Sequence, residues 1–195
     1  MTVATADHLA RTIVERVETV PDPIDPQSLT TIIDDVRAQF VPPGRSDFER
    51  EMRRNALGGL RVDFLQAEFE WIIEGRSLTT LDEYVAADRT GRGIPLNAGM
   101  REAIWYLHQN VRDEVERKGL TTYWRVRNRA LDLVRSDKYR DRFDAVIIDE
   151  AQDLTPAALA LLVEVCRDPA GLYLTADASQ SLYSRGFTWA RVHEH

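Results

Sequence analysis

The sequence predicts an α/β fold in which a short parallel sheet follows a large, mostly helical region. Two apolar runs, 145–148 and 172–176, carry this prediction, because each has the length of a buried strand and each ends at an acidic residue. Between them, 157–166 has apolar residues at helical spacing, so strand, helix and strand form a right-handed βαβ unit. No strand-like alternation of polar and apolar residues occurs before Phe143.

The region before Phe143 is predicted to consist of successive helices, each opened by a capping residue. The predicted N-caps, in chain order, are Thr5, Asp25, Ser46, Thr79, Asn97 and Thr122. Ser46 and Glu49 have the spacing of a capping box, and Phe48 and Met52 are expected to begin an apolar stripe behind it. Predicted helix ends are 41–44, Gly75 and Gly119. After the first strand, Thr155 and Pro156 predict the start of the helix that joins the two strands.

Two adjacent acids, Asp149 and Glu150, follow the first predicted strand. Open α/β sheets place their ligand crevice at the carboxyl ends of the strands. One carboxylate there can hold Mg²⁺, usually through water, and the next can orient or deprotonate an attacking water. A strand followed by a charged turn explains the pair alone equally well. The second strand leads to Asp177 and a loop, 178–189, whose amide, hydroxyl, guanidinium and aromatic groups suit contacts with phosphate and nucleobase.

In two motifs the chain resembles the UvrD/Rep-type superfamily I ATP-dependent DNA helicases. The first, 149–153, reads Asp-Glu-Ala-Gln-Asp and resembles motif II, which contains the Walker B acid. The second, 176–183, reads Ala-Asp-Ala-Ser-Gln-Ser-Leu-Tyr and resembles motif III. Their pairing at this separation is highly specific. The resemblance implies part of a P-loop NTPase (RecA-like) parallel sheet over 119–195, interrupted by a mostly helical insertion subdomain over 21–118.

The resemblance also implies roles for individual residues at the nucleotide site. Asp149 would serve the Mg²⁺ of Mg-ATP, and Glu150 would be the catalytic base for the hydrolytic water. Gln180 would sense the γ-phosphate and link hydrolysis to movement along single-stranded DNA. Gln152 and Asp153 would brace the interface between the site and the motor. The implied cofactors are therefore Mg²⁺ and ATP, and the implied partners are ATP and single-stranded DNA.

The same resemblance implies a DNA contact by the loop behind motif III. Tyr183 and the aromatic residues after it would lie against single-stranded DNA, where base stacking contributes about 1–3 kcal/mol per base. The better-known family pattern is Tyr-x-aromatic-Arg-Gly, whereas here Arg185 follows Tyr183 after one serine and the aromatics come later. Trp189 is the first choice for the stacking residue and Phe187 the second; a tryptophan that closes the core is the alternative for Trp189.

Other segments before residue 143 offer further candidate DNA contacts. Residues 3–10 resemble the family's Thr-x-His motif, with Asp7 where the usual histidine stands, although a helix capped by Thr5 explains them equally well. This assigns 1–20 to that motif and the start of the insertion. Arg89, Arg92 and Arg101 would be phosphate contacts or solvated charges. The same two interpretations hold for a basic group in 119–142, namely Arg125, Arg127, Arg129, Arg135, Lys138, Arg140 and Arg142.

Composition limits the remaining possibilities. With 195 residues, 44% of them hydrophobic, the chain can bury one sizeable core or two small ones. Its formal net charge of −7 does not indicate a nucleic-acid binder, yet a translocating protein needs only a local track of positive charge. The single cysteine, Cys166, is expected to pack on a helix and fits a reducing cytosol, so we expect a cytoplasmic protein. The sequence has no signal peptide and no apolar stretch of membrane-spanning length.

The sequence contains no Gly-x-x-x-x-Gly-Lys-(Ser/Thr) loop to cradle the β- and γ-phosphates. We therefore expect an internal piece of an ATP-dependent helicase or translocase of 3′-to-5′ polarity, inactive by itself. One alternative is a non-enzymatic helicase-like module, binding DNA or protein, that has lost its P-loop. The other is a metal nuclease or phosphatase using Asp144, Asp149, Glu150 and Asp153. It is disfavoured because the first and last of these fall at opposite ends of the strand.

Overall fold

The computed structural model describes residues 3–176, in which a layered set of helices precedes a small parallel sheet. The α-helices are α1 (Ala6–Glu15), α2 (Pro26–Gln39), α3 (Asp47–Gly58), α4 (Val62–Glu68), α5 (Leu81–Ala86), α6 (Ala98–Arg117), α7 (Tyr123–Arg135) and α8 (Pro156–Glu164). A π-helix, Phe69–Glu74, continues α4, and 3₁₀ turns occupy Ala151–Asp153 and Pro169–Gly171. Strands β1 (Val146–Ile148) and β2 (Leu172–Leu174) pair in parallel. The predicted mixed helix and sheet composition is confirmed.

Most predicted helix starts are confirmed by hydrogen bonds from the backbone to the capping side chains. Thr5, Asp25, Ser46, Asn97, Thr122 and Thr155 each accept a backbone N–H of the first turn. The predicted start at Thr79 is wrong by one residue. Thr80 caps α5 instead, because the Glu83 carboxylate reaches back to the Thr80 N–H at 3.0 Å and completes a capping box.

The prediction that Phe48 and Met52 face the core is wrong. Their exposed fractions are 76% and 57%, whereas Leu57, on another face of α3, is 2% exposed. The reason is a charged anchor one position along the helix. Arg53 donates to Glu49 at 2.6 Å and to Glu102 of α6 at 2.7 Å, which turns that face toward α6. Glu49 also accepts the Arg45 N–H, so the predicted reciprocal capping box with Ser46 does not form.

The helical layer has its own apolar core between α2, α4, the π-helix, α5 and α6. The predicted faces of these helices are buried as expected. Its most enclosed members are Ile33, Leu65, Phe69, Ile72, Ile73, Tyr84, Ile104, Leu107 and Val115. A separate core joins α1, α7 and α8 and includes Ala10, Ile13, Val14, Ala130, Leu133, Val134, Leu161 and Val165. No helix among the described residues has both the length and the apolar character needed to span a membrane.

Arginines predicted as phosphate contacts or solvated charges are buried in the helical layer. Glu68 has a fully buried side chain and pairs with Arg89 at 2.5 Å and Arg92 at 3.1 Å, whose side chains are 5% and 8% exposed. The Tyr84 hydroxyl donates to the same carboxylate at 2.9 Å. Burial, reinforced by the negative charge of Glu68, raises the pKa of Tyr84, so the phenol stays protonated. Arg101 instead donates to backbone carbonyls at the end of α5.

The end of the π-helix joins the two cores. Asn128 of α7 donates to the Glu74 carbonyl at 3.0 Å and to its carboxylate at 2.8 Å. His108 of α6 lies 2.9 Å from the other carboxylate oxygen. The next residue, Gly75, accepts the Ala157 N–H at the start of α8 at 2.8 Å. Glu74 and Gly75 therefore connect the helical layer to both helices that support the strands.

Gly75 has no room for a side chain. A Cβ there would lie 2.4 Å from the Glu70 carbonyl oxygen and 2.9 Å from that of Trp71, whereas a Cβ on Gly58, at the end of α3, would meet nothing within 4 Å. We therefore expect Gly75→Ala to lower the free energy of unfolding by about 1–3 kcal/mol through overpacking. Gly58→Ala should leave it unchanged or raise it slightly. Urea unfolding followed by circular dichroism compares the two; equal midpoints would refute the steric role of Gly75.

Glu74 should make the stability of the chain depend on acid. Burial raises the pKa of this carboxyl, but hydrogen bonds from His108 and Asn128 outweigh burial and leave the pKa below the ordinary value of 4.5. A lowered folded-state pKa means that the contribution to stability is present above the unfolded pKa and is lost as pH falls through the folded pKa. Unfolding free energies measured from about pH 6 to pH 3 should fall more steeply for the wild type than for Glu74→Gln. Parallel curves would contradict this.

Candidate functional site at the carboxyl ends of the strands

The structure brings the acids of the first predicted motif to the carboxyl end of β1, beside the end of β2. Val146 pairs with Leu172 and Ile148 with Leu174, so the residues that follow the two strands are neighbours. The Thr175 N–H donates to the Ile148 carbonyl at 2.8 Å and extends the pairing by one residue. Asp149 and Glu150, which come next, are both exposed at this edge.

The Asp149 carboxylate is oriented by two hydrogen bonds to the same oxygen. The Thr175 hydroxyl donates to Oδ1 at 2.5 Å, and the Glu150 N–H donates to it at 3.0 Å. Oδ2 accepts no hydrogen bond from the described residues. One oxygen of the carboxylate is therefore fixed by the protein and the other is available to a ligand.

Glu150 adopts a left-handed backbone conformation, with φ of 51°. This conformation is costly for a residue with a Cβ, about 1–2 kcal/mol, and such strain often accompanies functional sites. It is maintained because the chain must turn sharply from the strand into the 3₁₀ turn. The Ala151 N–H donates to the Thr175 carbonyl at 3.0 Å, and the Asp153 N–H donates to the Glu150 carbonyl at 2.8 Å.

Gln152 is buried, with 5% of its surface exposed, and its side-chain amide donates to Glu150 Oε2. Oε1 of Glu150 accepts no hydrogen bond from the described residues. Asp153 is exposed and closes the 3₁₀ turn through its backbone. The four described residues of the predicted site thus lie within a single reversal of the chain, with the amide holding one oxygen of the second acid.

The donor set at this edge fits a hydrated Mg²⁺. Within residues 3–176 no group of three or more His, Cys, Asp or Glu side chains is placed to enclose a metal. Mg²⁺ does not need such a cage, because it usually keeps several waters and binds through one or two carboxylates and substrate phosphates. The exposed Asp149 Oδ2 meets that requirement. Zinc, which takes four nitrogen or sulfur ligands at its structural sites, does not suit this edge.

The remaining predicted site residues fall on the part of the chain beyond the described range. These are Gln180, Tyr183, Arg185, Phe187 and Trp189. Asp177, the acid predicted to end the second strand, lies there too. The choice between Trp189 and Phe187 as the stacking residue therefore stays a prediction.

Other candidates are occupied by partners elsewhere in the structure. Asp144 precedes β1 and pairs with Arg167 at 2.5 Å, away from the edge that carries Asp149. Asp7 pairs with Arg127 at 2.5 Å. Most of the basic residues between 119 and 142 have carboxylate or carbonyl partners as well: Arg125 with Glu116, Arg129 with Glu18, Arg135 with Glu164, Arg140 with Asp137, and Arg142 with backbone carbonyls. Ion pairing within the chain thus competes with phosphate binding at these positions.

Thr175 is the site residue that the sequence analysis missed. Its signal is visible only in the parallel register, because a strand residue one position beyond Leu174 lies beside the residue one position beyond Ile148. A hydroxyl there faces the first acid. Without the pairing of the strands, a threonine at the end of an apolar run has no special meaning.

These features define a mixed α/β protein whose acids gather at the carboxyl edge of a parallel strand pair, as in proteins that handle Mg²⁺ and phosphates. Residues 104–194 match the family model described as UvrD/REP helicase N-terminal domain. Over 82 residues the chain is 30% identical to an ATP-dependent helicase/nuclease of Carboxydothermus hydrogenoformans. That alignment covers 40% of this chain and 7% of the relative's length.

The two matches confirm the resemblance to the UvrD/Rep-type helicases. The C-terminal half of the chain is a UvrD-type helicase segment. It contains β1, β2 and both described acids, together with α7 and most of α6.

The strained turn gives a prediction about stability. Glycine adopts a positive φ without the Cβ penalty, whereas alanine pays it. Glu150→Gly and Glu150→Ala both remove the carboxylate, so their difference isolates the backbone. We expect Glu150→Gly to be more stable than Glu150→Ala by about 1 kcal/mol in thermal and urea unfolding. If the alanine variant is the more stable one, the left-handed conformation at Glu150 is wrong.

Proposed function

We propose that the protein that carries this chain is an ATP-dependent DNA helicase or translocase, and that Asp149 and Glu150 form the Mg²⁺ and water side of its ATP site. The observation that carries the proposal is the pair of differently prepared carboxylates at one strand edge. One has a free oxygen beside a hydroxyl-fixed oxygen, and the other is held by a buried amide. The match of residues 104–194 to the UvrD-type family supplies the kind of reaction.

Asp149 holds the Mg²⁺ of Mg-ATP in this proposal. Its Oδ2 faces away from both hydrogen-bond donors, so it can accept a metal-bound water or the ion itself. When bound, Mg²⁺ neutralises charge on the phosphates and orients them for attack. The residue does not need to move, because its other oxygen is already tied to Thr175 and to the Glu150 backbone.

Glu150 acts as the general base. Gln152 occupies Oε2, which leaves Oε1 to accept a proton from the attacking water. Because Gln152 is buried and Glu150 is exposed, the amide belongs to the protein interior and sets the direction of the carboxylate. Gln152 and Asp153, which follow the base directly, are proposed to connect the site to the motor.

The described strands are proposed to be part of a larger RecA-like P-loop sheet. Parallel sheets are normally covered on both faces. Here α8 covers one face, while Ile147 and Tyr173, which are opposite each other in the register, are 76% and 59% exposed among the described residues. This exposure supports additional layers of protein on that face. The proposed division places the insertion subdomain in 21–118 and the motor in 119–195.

DNA contacts are proposed for the loop behind the second motif. Tyr183, Arg185, Phe187 and Trp189 would supply stacking and phosphate contacts, and Gln180 would link the γ-phosphate to them. The pairing of the α7 arginines with carboxylates supports a DNA track on this loop in preference to that helix. Movement in the 3′-to-5′ direction, inactivity of the isolated chain and a cytoplasmic location stay predictions.

Replacing the proposed base provides the direct test. In the full-length protein we expect Glu150→Gln to reduce DNA-stimulated ATP hydrolysis by at least about 100-fold, because general-base catalysis contributes that much. Binding of a fluorescent ATP analogue should be retained. Glu164→Gln, an exposed surface carboxylate on α8, is the matched control and should hydrolyse ATP normally.

Two outcomes would oppose the proposal. Turnover by Glu150→Gln close to that of the control would exclude the general-base role. No ATP binding by the full-length wild type, in a reading frame that lacks a Gly-Lys phosphate loop, would favour the non-enzymatic DNA- or protein-binding module.

A further inference from the structure

We propose that Thr175 is a positioning residue for the Mg²⁺-binding carboxylate of Asp149. The inference rests on the proposed function, since it concerns the metal side of the same site. Thr175 does not contact the reacting atoms. It acts through Asp149, to which its hydroxyl donates at 2.5 Å.

The backbone of Thr175 is fixed on both sides by the segment that carries the acids. Its N–H donates to the Ile148 carbonyl at 2.8 Å, and its carbonyl accepts the Ala151 N–H at 3.0 Å. These two bonds bracket Asp149 and Glu150. The hydroxyl therefore approaches Asp149 from a backbone that is held by the residues immediately before and after the acidic pair.

The hydroxyl determines which oxygen of Asp149 is left for the metal. Both donors converge on Oδ1, one from the neighbouring strand and one from the next residue along the chain. The backbone N–H alone would let the carboxylate rotate about a single bond, but two donors from different directions fix its plane. A ligand whose orientation is set before the metal arrives binds more tightly, and outer-shell partners of this kind commonly change metal affinity by about 10- to 100-fold.

Threonine suits this position for two separate reasons. Its β-branched shape favours the extended backbone that continues β2, and its hydroxyl supplies the donor. Valine has the same shape and no donor, whereas serine keeps the donor and loses the methyl group. These two substitutions therefore separate the hydrogen bond from the packing.

The experiment measures binding of Mn²⁺ to the full-length protein in the presence of a non-hydrolysable ATP analogue, by electron paramagnetic resonance. Thr175→Val should weaken Mn²⁺ binding about tenfold. Thr175→Ser should bind Mn²⁺ within about twofold of the wild type, since the donor is retained. Thr31→Val removes an exposed helix hydroxyl of α2 and is the matched control, expected to bind as the wild type does. The metal concentration that gives half-maximal ATP hydrolysis should shift in parallel.

Asp149→Asn separates failure of this inference from failure of the proposed function. If Asp149→Asn leaves Mn²⁺ binding unchanged, the metal role of Asp149 is wrong, and the inference fails with it. If Asp149→Asn weakens binding while Thr175→Val does not, the proposed function stands and the positioning role is overturned. Equal losses in Thr175→Val and Thr175→Ser would also overturn it, because packing would then be responsible in place of the hydroxyl.

Discussion

The parallel pairing of β1 with β2 is the constraint on which the candidate site depends. Each strand has only three residues, yet their register decides which side chains meet at the carboxyl edge. The Ile148 carbonyl and the Ala151 N–H both bond to Thr175, so the pairing continues past the strands on either side of the acids. Between these two bonds the chain must reverse, and Glu150 takes the left-handed conformation that makes the reversal possible. The strand pairing thus produces the exposure and spacing of the acids.

A second constraint comes from charge placed inside the helical layer. Glu68 is fully buried, and it is compensated by two arginines and a tyrosine hydroxyl. Removing one partner from such a group leaves a buried charge uncompensated, which is usually far more costly than the pair is stabilising. These arginines hold the segment after α5 against α4. In a family that binds nucleic acid, an arginine in the sequence is easily assigned to DNA, but here the first demand on these side chains is structural.

Communication between the helical layer and the strand edge passes through the end of the π-helix. The π-helical turn places the Glu74 carboxylate between His108 and Asn128, and the Gly75 carbonyl at the start of α8. Short π-helical segments recur at functional positions in proteins. The residues of α8 that follow lie beneath β1, where Leu159 packs with Ile148 and Ala151. A shift of the helical layer would therefore be felt beneath the acidic turn.

Local patterns predicted the elements well and their surroundings less well. Capping residues located nearly every helix, because a cap is a bond between neighbours in sequence. The faces of α2, α4 and α6 were predicted correctly because apolar spacing is also local. Phe48 and Met52 were assigned to the wrong side, since the orientation of α3 is decided by the bonds of Arg53 to Glu102, a residue distant in sequence. The same limit explains why buried Arg89 and Arg92 were assigned to phosphate or solvent.

By itself, the sequence determined the strand–helix–strand order, the two acids at the end of the first strand and the family that their motif indicates. Each of these is encoded in contiguous residues, so a local pattern is sufficient. Only the tertiary structure decided which side chains orient the acids. Thr175 is 26 positions from Asp149, and their contact exists because two strands pair in one register. Long-range pairing of this kind depends on the whole fold, and so the supporting shell of the site became visible only when the fold was known.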